Sequence, residues 1–182
     1  MLTRVFLILI WVCFPSTTSN DEAISWSDDF KLNWNHFKGS PQQNVDAVAV
    51  TASGITFEFS LQEADGRPVS FNTKVYAHFY PKKSWYIKEQ GTDYILAHEQ
   101  LHFDITELYV RKFRQQISKL KVSNNLKSEL RELHLNINKE VAVTQNLYDQ
   151  ETDNSRNVES QLKWNLFVKQ ELDKLKDFKS KD

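Results

Sequence analysis

The residues with the clearest chemical capacity are His98-Glu99-Gln100-Leu101-His102, an H-E-x-x-H run. Residues four apart on an α-helix lie about 40° apart around its axis, so the two imidazoles share one face and can grip one ion. Glu99 sits about 100° round, placed to touch a ligand of that ion rather than the ion itself. Zinc held by two imidazoles, a third protein ligand and a water combines a Lewis acid with a latent nucleophile. Glu99 would take the proton from that water as it attacks a carbonyl, then deliver it to the leaving amine. The spacing therefore predicts zinc as cofactor, His98 and His102 as metal ligands, and Glu99 as the general base of a peptidase acting on extended polypeptide.

Other polar groups fit this centre less directly. Tyr109 falls about 20° from His98 on the helical wheel, two to three turns further along. Glu107 is about 180° from His98, which disfavours it as a third ligand, and Asp104 is also on the wrong face, where a supporting or purely structural bond suits it better. Tyr148 and Tyr109 are the candidate donors to a tetrahedral oxyanion, with a buried tyrosine closing a helix stripe as the plainer role. His36 lies in a turn, His78 on the polar side of a strand and His134 between apolar helix positions; each is expected to be a surface or packed histidine. If the strand carrying His78, from Val69 to Tyr80, is an exposed edge, an extended peptide can add to it.

The motif needs a helix, and the hydrophobic pattern supplies one. After Gly91 the apolar period is about 3.6 residues. Thr92 or Asp93 can cap a first helix running toward Leu120, with Phe103, Val110, Phe113, Ile117 and Leu120 on its stripe. A second helix is expected from about Ser123 to Asp149, with Leu126, Leu130, Leu133, Ile137, Val141, Thr144 and Leu147 or Tyr148 facing inward. A polar segment from Glu151 to Asn157 precedes a third, whose stripe is Leu162, Leu166, Leu172, Leu175 and Phe178. Before Gly91 the period is two. Lys31 to Trp34 alternates, Val45 to Thr51 alternates weakly, and Ile55, Phe57 and Phe59 share one side. Asp65-Gly66-Arg67-Pro68 signals a turn before Val69, Phe71, Thr73, Val75, Ala77 and Phe79. The expected class is α+β: three or four mostly antiparallel strands packed against long helices, the H-E-x-x-H helix following the sheet. Trp26, Trp34, Trp85 and Trp164 read as anchors where sheet and helices meet.

Composition narrows the alternatives. The chain has 182 residues, enough for one domain with a real core and too few for two of usual size. With 23 Lys plus Arg against 24 Asp plus Glu, no global positive field exists to hold a phosphate backbone, so no nucleic-acid partner is expected. Met1 to Arg4 and the apolar run Val5 to Phe14, followed by Pro15 and Ser16 to Ser19, read as a signal peptide over 1–19. Its apolar run is too short to span a bilayer, so no stable membrane insertion is expected after cleavage, and the mature chain is placed outside the cytoplasm, periplasmic or extracellular. Cys13, the single cysteine, leaves with the leader, which removes disulfide and thiolate chemistry.

The order and spacing of short motifs resemble those of predicted secreted bacterial zinc-dependent proteases, a family long catalogued as a domain of unknown function. The resemblance rests on Trp26-Ser27, Leu32-x-Trp34-x-x-Phe37-Lys38-Gly39 and Ser84-Trp85. It continues in Leu96-Ala97-His98-Glu99-Gln100-x-His102-Phe103-Asp104-Ile105-x-Glu107-Leu108 with Arg111, Tyr148-Asp149-x-Glu151-Thr152, and Gln161-x-x-Trp164. It implies a zincin-like domain over 20–182, a sheet part over 20–90 and a helical part over 91–182. It also implies a histidine two residues after the Glu-Thr pair as third zinc ligand; this chain has Asn154 there, and a neutral amide is a far poorer ligand. Asp149, Glu151 or Asp153 can supply a carboxylate instead, or two histidines and water hold the metal weakly. The competing function is a catalytically inactive envelope protein that keeps the frame and binds a protein partner. A helical adhesin or chaperone-like protein is a third, and leaves His98 and His102 unexplained.

Overall fold

The computed structural model describes residues 22–42 and 47–180. The expected signal peptide, with Cys13, lies outside the described residues, as do Val45 and Asp46 of the weakly alternating segment. Among the described residues, no helix is long and apolar enough to cross a membrane.

The architecture is α+β: an antiparallel sheet and three long helices. Strands β3 (Ser53–Ala64) and β4 (Arg67–Phe79) form a long hairpin. Asp65 and Gly66 make its two-residue turn with φ of 51° and 71°, the left-handed pair that matches strand twist and that Asp-Gly tolerates. The register slips between Gln62 and Glu63, which faces Pro68, a residue with no N–H to give the ladder. β1 (Ile24–Ser25) adds to the other edge of β4 at Phe79 and His78, giving the order β1-β4-β3. A separate two-stranded ribbon pairs β2 (Ala49–Val50) with β5 (Trp85–Tyr86).

Lys31 to Trp34 is not a strand, despite its alternation. Asn33 instead caps a 3-10 helix over Trp34–His36, its side chain accepting from Asn35 N at 3.0 Å while His36 Nδ1 accepts from Asn33 N at 3.0 Å. A local side-chain cap competes with the ladder and wins where no partner strand is at hand.

Helix α1 (Asp93–Ile117) begins at Thr92, whose hydroxyl accepts from Ile95 N at 3.2 Å. It is the central element: the hairpin packs on one side, α2 (Leu126–Thr152) and α3 (Val158–Lys174) on others. Val75, Ala77 and Phe79 from β4 meet Phe103, Val110 and Phe113, all buried. Each fully buried Phe contributes about 1.5–3 kcal/mol, so the helix carrying the histidines is also the mechanical core. Trp26 ties the N-terminal segment to it, donating from Nε1 to Asp104 Oδ1 at 2.7 Å, and Gln100 Nε2 donates to the same oxygen at 2.9 Å. Asp104 therefore does the structural work open to it, and burial raises its pKa.

Helix α3 departs from the expected stripe. Its buried residues are Gln161, Trp164 and Val168, while Leu162 is 63% exposed and Leu166 is 58% exposed. The inward face is set by polar partners that apolar counting does not weigh: Gln161 reaches His98, and Trp164 Nε1 donates to Glu151 Oε2 at 2.8 Å. On α2 the inward choice falls to Tyr148, which is fully buried, and Leu147 faces out.

Candidate metal centre

Helix α1 presents His98 and His102 one turn apart, with Nε2 atoms 3.2 Å from each other. Helix α2 brings Asp149 against them: its Oδ1 is 3.2 Å from His98 Nε2 and 2.9 Å from His102 Nε2. Three ligand atoms bonded tetrahedrally at about 2.0–2.1 Å to one ion stand roughly 3.3–3.4 Å apart. The observed triangle is close to that spacing, and its donor set of two imidazoles and a carboxylate suits a divalent transition ion. His98, His102 and Asp149 thus form a group that could hold a metal ion. Of the carboxylates the sequence left open, Asp149 is the one that converges. Glu151 turns to Trp164, and Asp153 pairs with Arg156 at 3.1 Å.

Burial raises the carboxyl pKa of Asp149, but the hydrogen bonds with His102 and His98 outweigh it and hold that pKa well below the usual carboxylate range. Burial likewise disfavours a charged His102, yet its bond to Asp149 and the nearby Glu99 raise its pKa above the ordinary value. The cluster without an ion therefore favours a histidine–aspartate ion pair, in which a proton supplies the positive charge between the acceptors.

Glu99 is 3% exposed, and no group of the protein donates to its Oε2 among the described residues. It lines, with His98, His102 and Asp149, a cavity of about 220 Å³. The opposite wall is the segment from Ala47 to Thr51 with Ser53, that is, β2 and the approach to β3. Thr51 Oγ1 donates to Glu99 O at 3.2 Å, and Ser53 Oγ and Thr106 Oγ1 are 2.6 Å apart, so the wall is fastened to α1. The strand that carries His78 is not this wall: β4 is covered by β3, and by β1 near His78, whose ring bonds Thr56 and Ser25.

Neither tyrosine reaches the cavity. Tyr109 OH is 2.5 Å from Thr144 Oγ1. Tyr148 stacks on the His98 ring at 4.4 Å between centroids and donates to Gln161 Oε1 at 2.7 Å, so its proton is already engaged. Glu107 bonds Arg111 Nε at 2.8 Å on the far side of the helix. His134 packs beside Phe57 and Phe113, and His36 beside Phe30. Asn154 lines the cavity with φ of 48°, a left-handed conformation that Asn adopts more readily than most residues. Its N–H donates to Asp149 O at 2.9 Å, so this position secures the backbone of the converging carboxylate.

Two contacts went unread in the sequence. Gln145 Oε1 meets His102 Nδ1, and Gln161 Oε1 lies 2.9 Å from His98 Nδ1. Gln145 stands one helical turn before Asp149, so the spacing Gln-x-x-x-Asp was the available signal once α2 was known to cross the histidines.

An α+β frame with a central helix carrying His98 and His102 opposite Asp149 defines a candidate metal-binding protein. The chain belongs to the family described as "Bacterial protein of unknown function (DUF922)", whose model matches residues 29–156. No curated protein and no solved structure matches it.

Proposed function

We propose that this protein is a zincin-like, zinc-dependent peptidase, exported by its N-terminal leader to the periplasm or exterior. One observation carries the reading: two imidazoles, a carboxylate and a second, unpartnered carboxylate oxygen converge on one cavity. His98, His102 and Asp149 would hold the ion. Zinc bound there supplies a Lewis acid for a peptide carbonyl and makes a water acidic near neutral pH. Glu99 accepts the proton of the attacking water at Oε2 and returns it to the leaving nitrogen as the C–N bond breaks. The β2 wall shields that exchange on the side opposite the helix. The alternative is an inactive partner-binding protein, favoured by Asn154 standing where the family resemblance implies a histidine; the carboxylate of Asp149 makes that histidine dispensable.

The test joins metal content with turnover. Protein purified without added zinc is expected to carry close to one zinc per chain, lost in His98→Ala. Glu99→Gln should keep the zinc and lose about 10²–10⁴-fold in casein or peptide cleavage. Equal inertness of both forms while zinc is bound favours the inactive reading; no zinc after titration ends both.

A further inference from the structure

We infer that Gln145 and Gln161 are a matched pair of positioning residues. They keep the hydrogen of each imidazole on Nδ1 and so turn both Nε2 lone pairs toward one cation. The inference rests on the metal-centre reading and adds the groups that orient its ligands.

For His102 the orientation can be traced atom by atom. Gln145 Nε2 lies 2.9 Å from His102 O and 3.2 Å from Thr106 Oγ1. A backbone carbonyl only accepts, so the amide nitrogen must face it and the amide oxygen must face the ring. That oxygen meets Nδ1, which must then carry the hydrogen. The backbone of the ligand residue thus selects the tautomer of its own ring through one side chain from α2.

For His98 the agent comes from α3. Gln161 is 1% exposed; its Oε1 accepts from Tyr148 OH at 2.7 Å and lies 2.9 Å from His98 Nδ1, while its Nε2 donates to Asn165 Oδ1 at 3.1 Å. The stacked Tyr148 ring fixes the plane of the imidazole. With both Nδ1 atoms protonated and both rings neutral, two lone pairs and the Asp149 carboxylate meet within 3.2 Å, and the positive charge among them has to come from a proton on Nε2 or from a cation. Such a triangle of acceptors is stable only around positive charge. Metal-bound histidines generally donate their other N–H to a carboxylate, carbonyl or water. Here both acceptors are neutral amides, which orient the rings without adding negative charge to the site, leaving more of the cation's field for its remaining ligand.

The experiment uses the full chain, zinc titration against a chromophoric chelator, and long-range ¹H–¹⁵N spectra of the histidine rings in the zinc-loaded protein. The unaltered chain should show, for both rings, hydrogen on Nδ1 and metal on Nε2. Gln145→Met and Gln161→Met keep side-chain length and remove the acceptor; each should weaken zinc binding about 10–100-fold and give mixed ring coordination. Gln145→Glu keeps an acceptor for Nδ1 while giving up the Nε2 donor to His102 O, and should bind zinc more tightly than Gln145→Met. Hydrogen on Nε2 of either ring in the unaltered protein overturns the inference without recourse to any variant. Zinc bound equally well by the Met variants overturns the positioning role alone, whereas zinc that never binds the unaltered chain overturns the centre itself.

Discussion

Asp149→Asn isolates the one ligand that comes from outside the H-E-x-x-H helix. The substitution keeps volume and hydrogen-bonding capacity and removes the charge that now lies 2.9 Å from His102 Nε2. Four-ligand zinc sites bind with about 10–16 kcal/mol, or roughly 2.5–4 kcal/mol per ligand. An amide oxygen retains part of that, so a loss of about 2–3 kcal/mol follows, about 30–150-fold in Kd. Competition with a chelator of known affinity reads this directly, and melting of the zinc-free protein shows whether the fold has survived. The Asp149 side chain is 36% exposed, so the fold itself does not depend on it. Zinc affinity unchanged in Asp149→Asn would refute the assignment of the third ligand. Because Glu151 and Asp153 are already engaged, by Trp164 and Arg156, the geometric account of the site would go with it.

Further outcomes follow from the packing. Burial lowers the pKa of His134, whose Nε2 has no hydrogen-bond partner among the described residues, so the folded chain favours the neutral ring. The stability it lends is present above the unfolded pKa of 6.5 and lost as pH falls below it; His134→Phe should flatten the fall in Tm between neutral and mildly acidic pH, and an identical slope in both proteins would refute this. Arg111→Met leaves Glu107 buried without its partner and should cost about 3–5 kcal/mol, read by denaturant unfolding. Gly39→Ala places a Cβ 2.9 Å from the backbone oxygens of both Lys82 and Ser84, and should destabilise by about 1–3 kcal/mol in the same assay.

Much of the fold was legible because its signals are local. Asp65-Gly66 specifies its turn through backbone sterics, and the inward residues of β3 and β4 follow a period of two. The apolar period of α1 places Phe103, Val110 and Phe113 inward, as found. Reading failed where a polar hydrogen bond, local or distant, outweighed the apolar pattern. Asn33 capped a 3-10 turn in place of a strand, and α3 turned Gln161 and Trp164 inward while Leu162 and Leu166 stayed in solvent and Leu172 packed on the core as expected. On α3 the polar groups of buried Gln161 and Trp164 could not go unpaired, at Asn33 an exposed local cap formed instead of a ladder, and hydropathy counts neither kind of bond.

The candidate site divides in the same way. His98, Glu99 and His102 are related by helical geometry within one element, so their common neighbourhood was set by residue order alone. The choice of Asp149 over Glu151 and Asp153, the removal of Tyr148 from the cavity and the arrival of Gln145 and Gln161 depend on how α2 and α3 cross α1. That crossing is a long-range packing result: it comes from the fit of whole helix faces, and no stretch of the chain read by itself contains it.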